Sequence, residues 1–177
     1  FLLAGPLLAR SNSIDLPAPG GDRIGLRPVH THLMALEKLG VEISLSEDGL
    51  YQMRSKDLTG TDIYLDEASV MATENAIMAA VTAKGKTSIY NAACEPHVQG
   101  LCHFLVMLGA AIEGVGSNLL IIEGVPKLAG GDYTIQPDHT EVGSFIGLAA
   151  VTGSELRIKN AGVAYLRMTR LMFDKLG

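Results

Sequence analysis

Leu105-Val106-Met107-Leu108-Gly109 closes an apolar stretch of helical spacing, and two similar endings occur elsewhere, Leu36-Glu37-Lys38-Leu39-Gly40 and Phe173-Asp174-Lys175-Leu176-Gly177. The terminal glycines are 69 and 68 residues apart. Other landmarks keep the step: Leu58-Thr59-Gly60 recurs as Leu128-Ala129-Gly130, Ala79-Ala80-Val81 as Ala149-Ala150-Val151, and Asn91-Ala92 as Asn160-Ala161. Independent landmarks at one period mark a duplicated supersecondary unit. A glycine placed just after the last periodic leucine suits the left-handed position that ends many helices.

Working outward from Gly109, the best-resolved unit begins near Thr73. The pattern predicts an Ala- and Met-rich helix over about 74–83, stopped by Gly85, then a strand over Thr87–Asn91 and a helix over about 97–108. Val98, Leu101, Cys102, Leu105 and Leu108 share one face of that second helix. Strands follow at Ala110–Glu113 and Leu119–Ile122, and another is predicted at Tyr133–Ile135. The helix over 74–83 is apolar nearly all round and so belongs inside the fold. The first unit repeats this order with a strand near Ser13–Leu16 and a helix over 28–39 that opens with Pro28 at its first position. The third opens at Asp138-His139-Thr140-Glu141, which has capping-box spacing, and continues through a helix over 142–151, a strand over 155–160 and a helix over 164–176. The fold class is therefore α/β, built from repeated units of about 69 residues.

What distinguishes the first unit is Leu16-Pro17-Ala18-Pro19-Gly20-Gly21-Asp22-Arg23-Ile24-Gly25-Leu26-Arg27-Pro28, inserted between its strand and its helix. Proline and glycine at this density exclude a regular helix or a central strand. One carboxyl group and two guanidinium groups beside a helix start suit an anionic, phosphorylated substrate, although a solvated turn has the same composition. Asp66-Glu67-Ala68-Ser69-Val70-Met71-Ala72-Thr73 leaves a similar choice open between holding phosphate and capping a helix.

Composition narrows the classes further. Apolar residues make up 47% and charged residues 19%, as in globular proteins, and the net charge of −5 argues against a general nucleic-acid partner. No apolar run reaches membrane-spanning length and there is no signal peptide, so a cytoplasmic location is expected. The chain starts at Phe1 within an apolar run and stops at Gly177 at a helix end, and so reads as a piece of a longer polypeptide. Cys94, His97, Cys102 and His103 cannot converge on a metal, because Cys102 lies on the apolar helix face and His103 points about 100° away. His30 and His32 also face different sides of their helix. No metal is expected, and no cofactor fingerprint is present.

Gly5-Pro6-Leu7-Leu8-Ala9-Arg10, Pro19 to Val29, Ala72-Thr73-Glu74-Asn75, Asn91 to Pro96 and Pro137 to Phe145 together resemble the enolpyruvyl transferases, over essentially the whole chain. Within that family they resemble the branch acting on UDP-N-acetylglucosamine in peptidoglycan synthesis. The resemblance implies two lobes, each of three α/β units around a pseudo-threefold axis, an inside-out α/β barrel with helices inside and sheets outside. On that pattern residues 1–136 are two of the three units of the lobe bearing the catalytic loop, and residues 137–177 are the crossover and the start of a truncated second lobe.

The implied reaction is attack of the sugar 3-hydroxyl of UDP-N-acetylglucosamine on the central carbon of phosphoenolpyruvate, followed by loss of phosphate. Its partners are these two small molecules and the remainder of the second lobe, with no membrane or nucleic acid. Carried over residue by residue, Asp22 stands where many members have the loop cysteine and implies a carboxylic general acid. Arg27 corresponds to the arginine on the phosphoenolpyruvate phosphate. Pro28, Val29, His30 and Thr31 match the uridine-holding segment, and Ser69, Val70 and Met71 the diphosphate-contacting turn. His30 replaces a commoner acid, Glu67 a lysine and His139 an arginine. Shikimate-3-phosphate as acceptor is the alternative within catalysis, and a non-catalytic nucleotide-sugar-binding paralogue the alternative outside it. The chain by itself is expected to be inactive.

Overall fold

The computed structural model describes residues 1–20 and 28–177. These form two compact units, Phe1–Asp132 and Tyr133–Gly177.

In the first unit the chain runs through α1 (Ala4–Ser11), β1 (Ser13–Pro17), α2 (His30–Lys38), β2 (Glu42–Leu45), β3 (Leu50–Arg54), β4 (Asp62–Tyr64), α3 (Val70–Ala80), β5 (Lys86–Tyr90), α4 (Pro96–Met107), β6 (Ala111–Glu113) and β7 (Leu119–Glu123). The strands make two sheets, ordered β1-β3-β2 and β4-β5-β7-β6. Within the first, β3 is antiparallel to both neighbours, with Arg54 opposite Ser13 on one side and Glu42 on the other. Within the second, β7 is antiparallel to both neighbours, with Glu123 opposite Lys86 and Ala111. The two α-β-α-β-β runs thus share one strand order, and β4 is added parallel to β5 across the α3 crossover.

The recurring helix ends have a common structure. Gly40 and Gly109 adopt φ of +94° and +102°, where a side chain would strain the backbone. The following amides fold back, Val41 N–H donating to the Leu36 carbonyl at 3.1 Å and Ala110 N–H to the Leu105 carbonyl at 2.9 Å.

At the centre lies α3, packed against α1, α2, α4 and both β5 and β7. Ala72, Thr73, Asn75, Ala76, Ile77, Ala79 and Ala80 are all buried, so several small side chains let the neighbouring helices approach closely. Asn75 has no solvent exposure. Its Oδ1 accepts from the Gly5 N–H at 2.8 Å, and its Nδ2 donates to the Phe1 carbonyl at 3.2 Å and to His32 Nδ1 at 2.9 Å. The backbone partners fix the orientation of the amide, so His32 Nδ1 must accept and the ring is neutral. Burial accordingly holds His32 below its ordinary pKa. Gly5 is obligatory for contact, since a Cβ there would sit 2.4 Å from the Asn75 carbonyl oxygen.

The second unit holds α5 (His139–Thr152), a 3₁₀ turn (Val163–Tyr165) and α6 (Arg167–Leu176). Asp138 caps α5, accepting from the Thr140 and Glu141 amides at 2.8 and 3.3 Å. Gly143 and Gly147 bring the α5 backbone against Thr169 and Phe173 of α6. Asn160 has φ of 55°, matching 57° at Asn91.

Three local expectations are corrected. Tyr133–Ile135 and Glu155–Asn160 are not strands, because a strand needs a neighbour to exchange hydrogen bonds with and neither stretch pairs among the described residues. Pro28 is not the first helical residue: α2 starts at His30 with Val29 at the cap, which leaves Pro28 outside it. No described helix is long and apolar enough to cross a membrane.

Two measurements test the Asn75 junction. Asn75→Ala, which strands the Gly5 amide, should cost about 2–4 kcal/mol in urea unfolding, and Gly5→Ala a similar amount by overpacking. For His32, the unfolded chain binds more protons between the lowered pKa and the ordinary 6.5. Stability is therefore fully present above pH 6.5 and is lost as pH falls through the folded value; His32→Gln should flatten this dependence.

Candidate active site

Two connections leave the carboxyl ends of the parallel strands β4 and β5, the region where open α/β folds usually bind ligands. After β4, Asp66 to Ser69 lead into α3. Ser69 is the cap, in extended conformation, and its Oγ accepts from the Ala72 amide at 3.3 Å. That leaves the Val70 and Met71 amides at the start of α3 without a partner in the helix. Met71 is 46% exposed, whereas Ser69 and Val70 are half-buried.

The second connection is locked to the first. Thr73 Oγ1 donates to the Ser69 carbonyl at 2.7 Å and accepts from the Ala93 amide at 3.0 Å. Asn91 donates to the Leu65 carbonyl at 3.0 Å from its left-handed backbone position. Together these bonds hold the β5–α4 turn against the start of α3.

Asp66 ties a third segment to this pair. Thr31 Oγ1 donates to Asp66 Oδ1 at 2.8 Å, and His30 Nε2 lies 3.7 Å from Oδ2. Thr31 is 8% exposed, while Pro28 and His30 face solvent and Val29 is half-buried. The Thr31–Asp66 bond thus ties the start of α2 to the connection that leads into the Ser69 cap of α3, across 35 residues of chain. Asp22 and Arg27 lie outside the described residues, which omit 21–27.

Two further ionisable groups face the interior behind the start of α3. Glu74 is half-buried and desolvation raises its carboxyl pKa, with His97 pulling the other way. Cys102 is fully buried, and its thiol is pushed up to about 11, mainly by desolvation and secondarily by Glu74. Such a thiol stays protonated and is a core residue rather than a nucleophile. Cys94 is exposed.

Sequence reasoning missed Asp66, Thr73 and Asn91 as organisers of the site. Asp66 carried one readable signal, an acid three residues before a capping serine. Its partner Thr31 was invisible because the bond is long-range.

A family profile described as EPSP synthase (3-phosphoshikimate 1-carboxyvinyltransferase) matches residues 2–177. A UDP-N-acetylglucosamine 1-carboxyvinyltransferase of Bradyrhizobium diazoefficiens is 56% identical over 177 residues, covering 100% of this chain and 41% of the relative. One of Treponema denticola, with the same name and the same coverage, is 54% identical. The chain thus spans about two-fifths of the length of these relatives. Among solved structures, the enolpyruvyl transferase NikO of Streptomyces tendae matches with a TM-score of 0.66 and 27% identity, over 79% of this chain and 34% of that one. An EPSP synthase of Acinetobacter baumannii matches in fold, with a TM-score of 0.61 and 23% identity over 85% and 34% of the two chains. With a match that runs from residue 2 to residue 177, the chain belongs to the EPSP synthase family of enolpyruvyl transferases.

Proposed function

We propose that this chain is part of an enzyme that transfers enolpyruvyl from phosphoenolpyruvate to the 3-hydroxyl of UDP-N-acetylglucosamine, releasing phosphate, in the first committed step of peptidoglycan synthesis. The observation that carries this reading is the junction at Asp66, where the uridine-type segment Pro28–Thr31 meets the diphosphate-type turn Ser69–Met71. Relatives with the corresponding name, at 49–56% identity over the chain, support the acceptor. A cytoplasmic location follows from the nucleotide-sugar substrate.

The finer architecture belongs to the same proposal. Residues 1–136 are two of three units of one lobe and residues 137–177 open the second, in an inside-out barrel. In support, β1-β3-β2 and β5-β7-β6 repeat one order, α3 is enclosed by other helices, and Gly40 and Gly109 share a conformation 69 residues apart.

In this reading the Val70 and Met71 amides, which have no partner within α3, receive the diphosphate, since a helix start offers N–H groups and a favourable dipole to an anion. Pro28, Val29, His30 and Thr31 flank the uridine. Arg27 clamps the phosphate of phosphoenolpyruvate. The sugar hydroxyl forms a C–O bond to the central carbon as its own proton passes to a general base supplied by the remainder of the enzyme, and Asp22 delivers a proton to the methylene carbon. Loss of phosphate and of one methyl proton then restores the double bond, and the carboxyl group regains its proton.

Titrating the full-length protein with UDP-N-acetylglucosamine and with shikimate-3-phosphate, and following phosphate release from phosphoenolpyruvate, tests the proposal. Release is expected with the nucleotide sugar. Release only with shikimate-3-phosphate would transfer the protein to the sister activity, and binding without release would make it a non-catalytic paralogue. Asp22→Asn should lower kcat by about 10²-fold or more. Because a carboxylate is a weaker nucleophile toward an epoxide than a thiolate, fosfomycin should leave activity largely intact and Asp22→Cys should create sensitivity; stoichiometric modification of Asp22 in mass spectra would refute this.

A further inference from the structure

The two segments assigned to the nucleotide have few ways to hold their spacing. One wall is the first turn of α2 and the other the first turn of α3, and each wall belongs to a different α-β-α-β-β run of the fold. Below them His32 bonds Asn75, which fixes the helices where they cross in the core. At the level of the site itself, the side chain of Asp66 makes the connection, through Thr31 Oγ1 at 2.8 Å on one carboxylate oxygen and His30 Nε2 at 3.7 Å from the other. Asp66 sits three residues before the Ser69 cap. Any drift of its carboxylate therefore moves the Thr31 wall relative to the Val70 and Met71 amides.

We propose that Asp66 is a positioning residue for the nucleotide sugar, its carboxylate holding the first turn of α2 at the spacing from α3 that a uridine diphosphate spans. This rests on the acceptor assignment made above. Asp66 has no contact with the reacting carbon in this role. It acts on binding, through Thr31, and leaves the chemical step alone. The half-buried, charge-assisted Thr31 bond is the stronger of its two contacts, because the His30 side chain is largely exposed and its nitrogen lies farther away.

Calorimetric titration of the full-length protein with UDP-N-acetylglucosamine, together with steady-state kinetics, separates positioning from general stabilisation. Asp66→Ala and Thr31→Ala should each weaken nucleotide-sugar binding by about tenfold, with kcat at saturation nearly unchanged. Thr31→Ser, which keeps the hydroxyl, should recover most of the affinity that Thr31→Ala loses, and Asp66→Asn, which keeps an acceptor oxygen without the charge, should fall between Asp66→Ala and the unaltered protein. The double variant Asp66→Ala/Thr31→Ala should be no weaker than Asp66→Ala, since one bond is lost in each. Unchanged affinity in Thr31→Ala, additive losses in the double variant, or a fall in kcat with unaltered affinity would overturn the role. Should Asp66→Ala fail to fold, Thr31→Ala against Thr31→Ser and Asp66→Asn decides the same point. Failure of the unaltered protein to bind the nucleotide sugar would instead overturn the acceptor assignment, and the role with it.

Discussion

A helix enclosed by other helices must satisfy every polar group it carries, and Asn75 is where this chain meets that constraint. Its side chain bonds three groups outside α3: the Gly5 amide at the start of α1, the Phe1 carbonyl, and His32 on α2. Burying an amide without partners costs more than most single contacts return, so the three-way bonding specifies one arrangement of α1, α2 and α3 and disfavours others. Gly5 completes the constraint by letting the α1 backbone reach the Asn75 carbonyl. The alanines around it supply closeness, and Asn75 supplies register.

That core junction and the candidate site are one residue apart. His32 bonds Asn75 in the interior, and Thr31, its neighbour, bonds Asp66 at the surface. On α3 the corresponding groups are Asn75 and, little more than one turn earlier, the Val70 and Met71 amides, which have no partner within the helix. Rigidity made in the core is thereby passed to the two first turns through a short, well-packed path, as a binding site on helix ends requires. Thr73 extends the same logic to the third connection by linking Ser69 to Ala93.

Much of this was legible from residues because it depends on local rules. A glycine after the last periodic leucine predicts a left-handed turn, and Gly40 and Gly109 adopt one. The burial of the Ala-rich helix follows from its apolar character on all sides. The failures are equally physical. Glu155–Asn160 has strand-like residues, but strand formation is a property of a pair, and no partner lies beside it among the described residues. Pro28 reads as a helix start, but the preference for that position is weak and the geometry of α2 begins two residues later. Asp66 was invisible as a tie since its meaning depends on Thr31, which only the folded backbone brings near.

The arrangement also bears on where an anion can sit. Two helix starts meet in this region, and both offer the favourable end of a dipole. The start of α2 already faces a carboxylate, because Thr31 and His30 in its first turn engage Asp66. A second anion there would meet like charge at short range. The start of α3 is capped by a neutral serine that engages the Ala72 amide, and among the described residues no partner is bonded to the Val70 and Met71 amides. Asp66 thus joins the starts of α2 and α3 and places its one negative charge against the first turn of α2.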